Sequence, residues 1–272
     1  MDFSIIKYPR TPHIEGSRLQ PGDEDLSQIP FASIAGRHAV VEEKIDGANS
    51  AVSFDDRGNL LLQSRGHYLR GGYRERHYDL LKQWAGAHSE RLRAVLGCRY
   101  IMYGEWMYAK HSIYYDRLPH YFLEFDVLDR QEGVFLDTPS RRSLLAGLPV
   151  AHVPVLKAGA LRDRGELLSL LGPSRYISDR HIERLRETAR REGQDEERIL
   201  RETDAETTME GLYIKVEENG AVAQRAKFVR RSFLQAVEQP GSHWLERPII
   251  PNGIACSIAD LFAPDLCAGN GS

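Results

Sequence analysis

The sequence predicts an α+β protein, and three observations carry that reading. Short runs rich in β-branched and aromatic residues recur in pairs around turn signals, the pattern of antiparallel strands. Between about residues 140 and 203 the hydrophobic period becomes helical, so strand pairs are interrupted by a helical insert instead of alternating with helices. There is no Gly-rich Walker loop and no Rossmann fingerprint, so a nucleotide would have to be held by side chains from separate strands.

Taken in order, residues 1–38 mix short apolar runs with Pro9, Pro12, Pro21 and Pro30, and Pro21-Gly22-Asp23-Glu24-Asp25 reads as a surface loop. Residues 39–41 and 50–54 read as two strands joined in a hairpin through Lys44-Ile45-Asp46-Gly47. The turn Asp55-Asp56-Arg57-Gly58-Asn59 leads to residues 60–66, a strand running into a loop. Leu80, Leu81, Trp84, Leu92 and Val95 predict a helix over 78–96, capped by Gly97. Strands follow at 99–106 and 120–129. Residues 140–148, 164–171 and 178–203 are helical, the last so charged that it reads as a solvated surface helix. Strands return at 211–217 and 222–229 around Glu218-Asn219-Gly220, and the last forty residues read as a weakly structured tail.

Composition excludes several classes. The 272 residues are 42% hydrophobic and 28% charged with net charge −3, ordinary for a soluble globular protein able to bury a full core. No apolar run is long enough to span a bilayer, and the N-terminus lacks the basic start and apolar centre of a signal peptide. Cys98, Cys256 and Cys267 are odd in number and widely spaced, against a disulfide framework or zinc site and for a reducing, cytoplasmic setting.

The chemistry-bearing residues sit at strand ends and on strand faces. Lys44 lies among small and β-branched residues, poorly placed for packing and well placed for nucleophilic chemistry once its amine is neutral. Arg65 ends a strand in Ser64-Arg65-Gly66, Glu105 sits in Gly104-Glu105-Trp106, and Phe125 precedes Asp126. Glu210 opens Glu210-Gly211-Leu212-Tyr213-Ile214-Lys215, and Arg225 and Lys227 share one strand face. Singly, each has a plain structural explanation as a solvated charge or a core ring.

Together and in this order, they resemble the covalent nucleotidyltransferase superfamily of polynucleotide ligases and capping enzymes, and within it the RNA-ligase branch similar to the second RNA ligase of phage T4. Its six signature elements are matched by Lys44-Ile45-Asp46-Gly47, Ser64-Arg65-Gly66, Gly104-Glu105, Phe122-Leu123-Glu124-Phe125-Asp126, the stretch from Glu210 to Lys215, and Arg225-Ala226-Lys227. Asn49, five residues after Lys44, and the long gap between Phe125 and Glu210 are also similar to that branch. The resemblance implies a nucleotidyltransferase (ligase adenylation domain) fold over residues 1–240, with its helical insert at about 140–203. A short tail at 241–272 would follow, without a separate C-terminal domain.

It also implies an ATP-dependent RNA ligase acting in RNA repair or end-joining. Lys44 would attack the α-phosphorus of ATP, hold AMP covalently, and pass it to a 5′-phosphate that is then sealed to a 3′-hydroxyl. Lys227 and Arg225 would contact the α-phosphate, with Lys227 helping to keep the Lys44 amine neutral by like-charge repulsion. Arg65 would lie near the ribose and the nucleic-acid phosphate, Glu105 would hold a ribose hydroxyl, Phe125 would stack on adenine and Glu43 would lie near the adenine edge. Asp46, Gly47, Asn49 and Lys215 complete the implied nucleotide pocket. Glu210 would contact a divalent ion, Mg²⁺ or Mn²⁺, or orient Lys44. RNA ends are the implied partners, with an end-healing kinase or phosphatase a candidate to supply the 5′-phosphate, and no membrane. Two positions depart from the branch: Asp46 stands where His is usual, and Arg225 where Lys is usual, which leaves any general-acid role to Lys227. A GTP-using capping enzyme, a DNA nick ligase and a non-catalytic RNA-end-binding module are the alternatives. The basic, glycine-rich stretch from Arg65 to Arg74 is a candidate loop for nucleic-acid backbone, whereas the scattered His67, His77, His88 and His111 read as structural.

Overall fold

The computed structural model describes residues 4–19, 28–233 and 248–265. The loop expected at 21–25 lies outside the described residues, as do 234–247 and 266–272 of the expected tail.

Two antiparallel sheets form the frame. In the first, β1 (His38–Lys44) is flanked by β8 (Val155–Ala160) on one side and β9 (Gly211–Glu218) on the other, with β10 (Ala221–Val229) beyond β9. The second runs β3 (Leu60–Ser64), β2 (Ala48–Phe54), β4 (Tyr100–Trp106), β5 (Phe122–Asp129) and β6 (Val134–Phe135), and β7 (Ala151–His152) pairs parallel with β5.

Strand alternation decides which faces are dry. Leu212, Ile214 and Val216 of β9, with Ala226 and Phe228 of β10 and Val41 of β1, pack outward against Ile14, Phe31, Ile34, Leu161 and Leu167. The alternate residues Tyr213, Lys215, Arg225 and Lys227 therefore turn toward the second sheet. That sheet is backed by α1 (Asp79–Ala87) and α2 (Ser89–Leu96), whose Leu81, Trp84, Leu92 and Leu96 pack on Val52, Phe54, Met102 and Phe122. Burial of these side chains contributes the largest favourable term to folding, at roughly 25 cal/mol per Å² of apolar surface.

Several expectations are corrected. Residues 39–41 and 50–54 do not form a hairpin: β1 and β2 belong to different sheets, and Ile45-Asp46-Gly47 carries the chain from one to the other. The helix expected over 78–96 breaks at His88, and that expected over 178–203 splits into α5 (His181–Arg191) and α6 (Glu196–Arg201). The second break follows from Gly193 at φ 64°, a left-handed position, and Asp195, whose carboxylate caps α6 by accepting from the Arg198 amide. The insert also holds α3 (Thr138–Leu144), α4 (Arg164–Leu168) and the strand β8, so it is not wholly helical. The segment 248–265 packs closely. Buried Asn252 accepts from the Tyr115 amide and donates to the Met107 carbonyl, at 2.9 and 2.7 Å. Among the described residues no helix is long and apolar enough to cross a membrane.

Candidate active site

A cavity of about 1110 Å³ lies between the two sheets. Glu42, Glu43, Lys44, Glu210, Tyr213 and Lys227 line it from the first sheet, and Asn49, Ser64, Glu105 and Phe125 from the second, with Asp46 and Gly47 at the crossover. Arg65 stands exposed at the rim. Ten of the twelve residues singled out from sequence thus meet in one space.

Lys44 ends β1 opposite Gly211, and Glu210 immediately precedes Gly211 in the chain. That register brings Lys44 Nζ within 2.6 Å of Glu210 Oε1, with Glu210 buried and Lys44 20% exposed. Gly211 is required there: a Cβ would stand 1.9 Å from the Phe228 carbonyl oxygen. Gly47 is similarly constrained, since a Cβ would meet Met107 Sδ at 2.5 Å and Glu105 Cγ at 2.9 Å. Asp46 is fixed by the backbone amides of Ser112 and Ile113, which donate to its Oδ2 at 2.7 and 2.9 Å.

The charges around Lys44 differ from expectation. Burial acts against its ammonium, but Glu210, Asp46 and Glu105 more than offset it, so its pKa is raised and the amine is held protonated. Lys227 does not keep it neutral. Glu105 is pushed up to about 8, by burial first and then by Glu210 and Asp46, with Lys44 opposing. Glu43 is pushed up to about 7 by burial, against Ser174 and Arg175. At neutral pH Glu105 is mostly a neutral acid, and Glu43 is close to half-protonated.

Lys215 and Arg225 do not line the cavity. The Lys215 ammonium is fully buried beneath it, 2.8 Å from Glu42 Oε2 and 3.1 Å from Asp126 Oδ1, and donates to the Phe125 carbonyl. Arg225 donates to Asp126 at 3.0 Å and stacks over the Phe135 ring at 4.0 Å. They lie deeper because they pair with each other across β9 and β10, one inward-facing step further from Lys44 than Tyr213 and Lys227. Arg141 of α3, wholly buried, bridges Glu42 and Glu124, and His152 Nδ1 lies 2.6 Å from Glu124 Oε2. This ionic floor ties the strand of Lys44 to the strand of Phe125.

Sequence reasoning missed Glu42, Tyr8, Thr11, Tyr213, His67 and His111, all of which border the cavity. Glu42 and Tyr213 were detectable from alternation, Glu42 being in step with Lys44 on β1 and Tyr213 with Lys215 on β9. Tyr8 and Thr11 carry no such signal, because their segment has no strand period. His111 comes close because its loop hooks Asp46, with Nδ1 4.0 Å from Asp46 Oδ1.

Residues 37–229, most of the described chain and all of the signature elements, match the family described as RNA ligase. The chain belongs to the RNA ligase family. No curated protein matches it in sequence. Among solved structures, a substituted form of the Naegleria gruberi RNA ligase with ATP and Mn is similar at TM-score 0.51 and 19% identity, over 84% of this chain and 57% of that one. The same ligase with pyrophosphate aligns at TM-score 0.48 and 21% identity, over 74% of this chain and 52% of that one. The chain thus spans little more than half the length of these ligases, and the first likeness extends to the fold. The family match takes in Lys44, Glu105, Phe125, Glu210 and Lys227 but begins after the segment that carries Tyr8 and Thr11.

Proposed function

We propose that the chain is an ATP-dependent RNA ligase that works through AMP bound covalently to Lys44. The observation that carries this reading is the Lys44–Glu210 pair, set into a nucleotide-sized cavity between the sheets of an RNA-ligase-family chain. Glu210 Oε1 is the acceptor already in place for the proton that Nζ must give up. The freed lone pair attacks the α-phosphorus of ATP; the N–P bond forms as the P–O bond to pyrophosphate breaks. A 5′-phosphate oxygen of the RNA then attacks that phosphorus, the N–P bond breaks, and Lys44 recovers its proton. A 3′-hydroxyl finally attacks the activated 5′-phosphate, AMP leaves, and the hydroxyl proton passes to solvent.

The other residues bind and orient. Phe125 offers a ring face to the base and Glu43 its carboxyl edge. Glu105 and Arg65 border the ribose, while Lys227 neutralises phosphate charge. Glu210, whose carboxylate lies beside Lys44, would offer a hard oxygen ligand to a divalent cation, with phosphate and water oxygens making up the rest of its shell. Among the described residues no group of three or more His, Cys, Asp and Glu side chains that could hold a metal ion is found. Such an ion, Mg²⁺ or Mn²⁺, when bound, supplies charge neutralisation at the triphosphate. The similar Naegleria gruberi ligase structure at TM-score 0.51 holds ATP with Mn, which supports the same cofactors here.

The test is label transfer with α-labelled ATP and, separately, α-labelled GTP in the presence of Mg²⁺. The reading expects label on the denatured chain from ATP and none in Lys44→Ala. Label from GTP alone would move the function to capping-type guanylyl transfer, and no label from either would remove the covalent mechanism.

A further inference from the structure

Residues 4–14 form a strap joining the two sheets at the cavity. The Ile6 carbonyl accepts from Gln63 Nε2 at 2.9 Å and Tyr103 Oη at 2.8 Å in the second sheet. In the first sheet the Lys227 amide donates to the Pro12 carbonyl at 3.0 Å, and the Ile14 amide donates to the Lys227 carbonyl at 2.9 Å. Between these anchors, buried Tyr8 and Thr11 line the cavity.

Their hydroxyl hydrogens are ordered by what they touch. Asp126, clamped by Lys215 and Arg225, is an ionised carboxylate and can only accept, so Tyr8 Oη donates to it. Arg225 Nε donates to Tyr8 Oη at 3.0 Å. With its one hydrogen committed, Tyr8 can only accept from Tyr213, 2.8 Å away. Tyr213 in turn can only accept from Thr11, also at 2.8 Å. The chain therefore runs Thr11 to Tyr213 to Tyr8 to Asp126, and its outer end presents oxygen lone pairs to the cavity. Tyr213 is directly opposite Lys227 in the β9–β10 ladder, with both side chains on the cavity wall.

We propose that the N-terminal strap is a working part of the site: the Thr11–Tyr213–Tyr8 chain positions the Lys227 ammonium for the substrate phosphate. Every O–H dipole in the chain has its negative end toward the cavity, where it attracts a cation and offers nothing to an acceptor-only phosphate. The chain thus acts through Lys227, and the three hydroxyls are positioning groups. This inference rests on the ligase reading above, yet Tyr8 and Thr11 lie outside the stretch that matches the family, so this half of the device belongs to the chain's own N-terminal segment.

The test measures single-turnover formation of the AMP adduct in Tyr213→Phe, Thr11→Val and Thr11→Ser. Tyr213→Phe keeps the ring and its packing. It and Thr11→Val should lower the rate constant at saturating ATP about tenfold while the KM for ATP stays within about twofold, the pattern of a misplaced group acting in the transition state. Thr11→Ser, which restores the hydroxyl, should regain the wild-type rate. Tyr213→Phe added to Lys227→Ala should cost nothing beyond Lys227→Ala alone, because the chain acts only through that lysine. Unchanged rates in Tyr213→Phe, a Thr11→Ser as slow as Thr11→Val, or full additivity with Lys227→Ala would overturn the inference. Those outcomes differ from failure of the ligase reading, in which the unsubstituted protein itself forms no adduct.

Discussion

Glu210 holds Lys44 as an ammonium, so the proposed reaction would start by breaking an ion pair. Glu210→Gln removes both the proton acceptor and the charge that raises the lysine pKa. Adduct formation should fall by about 10²-fold or more, as for loss of a general base, and its rise with pH should begin at lower pH than in the unsubstituted protein. Glu43 gives a second prediction. Its folded-state pKa of about 7 stands above the ordinary carboxyl value, so the folded protein binds the extra proton. The resulting stability is fully present below the unfolded pKa and is lost as pH rises through about 7. Thermal unfolding of Glu43→Gln should therefore change less between about pH 5 and 8 than that of the parent. An equally steep dependence in both would refute the assignment. At this scale the sequence was informative where motif residues are polar and in strand register. It was silent about charge state, because Glu210, Glu105 and Asp46 come together around Lys44 from distant parts of the chain.

Strands and turns show the same division. The tight turn at Asn219-Gly220, with both residues at positive φ, and the strands on either side were legible because a two-residue hairpin is local. The separation of β1 from β2 was not, since β1 finds its partners at residues 155–160 and 211–216, far along the chain. β8 was hidden because it is short, half-exposed and without clean alternation. The buried contacts of these elements set two further expectations. Arg141→Met removes the guanidinium that bridges Glu42 and Glu124, leaving Glu42 to Lys215 and Glu124 to His152, and should lower stability by about 3–5 kcal/mol, measurable by denaturant unfolding. A loss below about 1 kcal/mol, the range of an exposed pair, would show that the bridge is not the brace described. Gly211→Ala forces a Cβ into the Phe228 carbonyl, and should displace Glu210 from Lys44 and abolish adduct formation. Adduct formation at the parental rate would show that the strand can shift without cost.

Over the whole molecule, the two sheets do different work on their two faces. The outer faces are apolar and hold the fold; the facing ones are lined with charges that would be costly alone and are tolerated because they pair. That arrangement explains why charged motif residues looked out of place in strand-like sequence, and why Lys215 and Arg225 proved to be floor instead of wall. The central claim is that Lys44 carries AMP between ATP and RNA. Its most direct measurement is the intact mass of the protein after incubation with ATP and Mg²⁺, followed by peptide mapping. The account predicts a gain of one adenylyl group on the peptide containing Lys44, reversed by added pyrophosphate and absent in Lys44→Ala. No gain in mass, or a gain on any other residue, would contradict it.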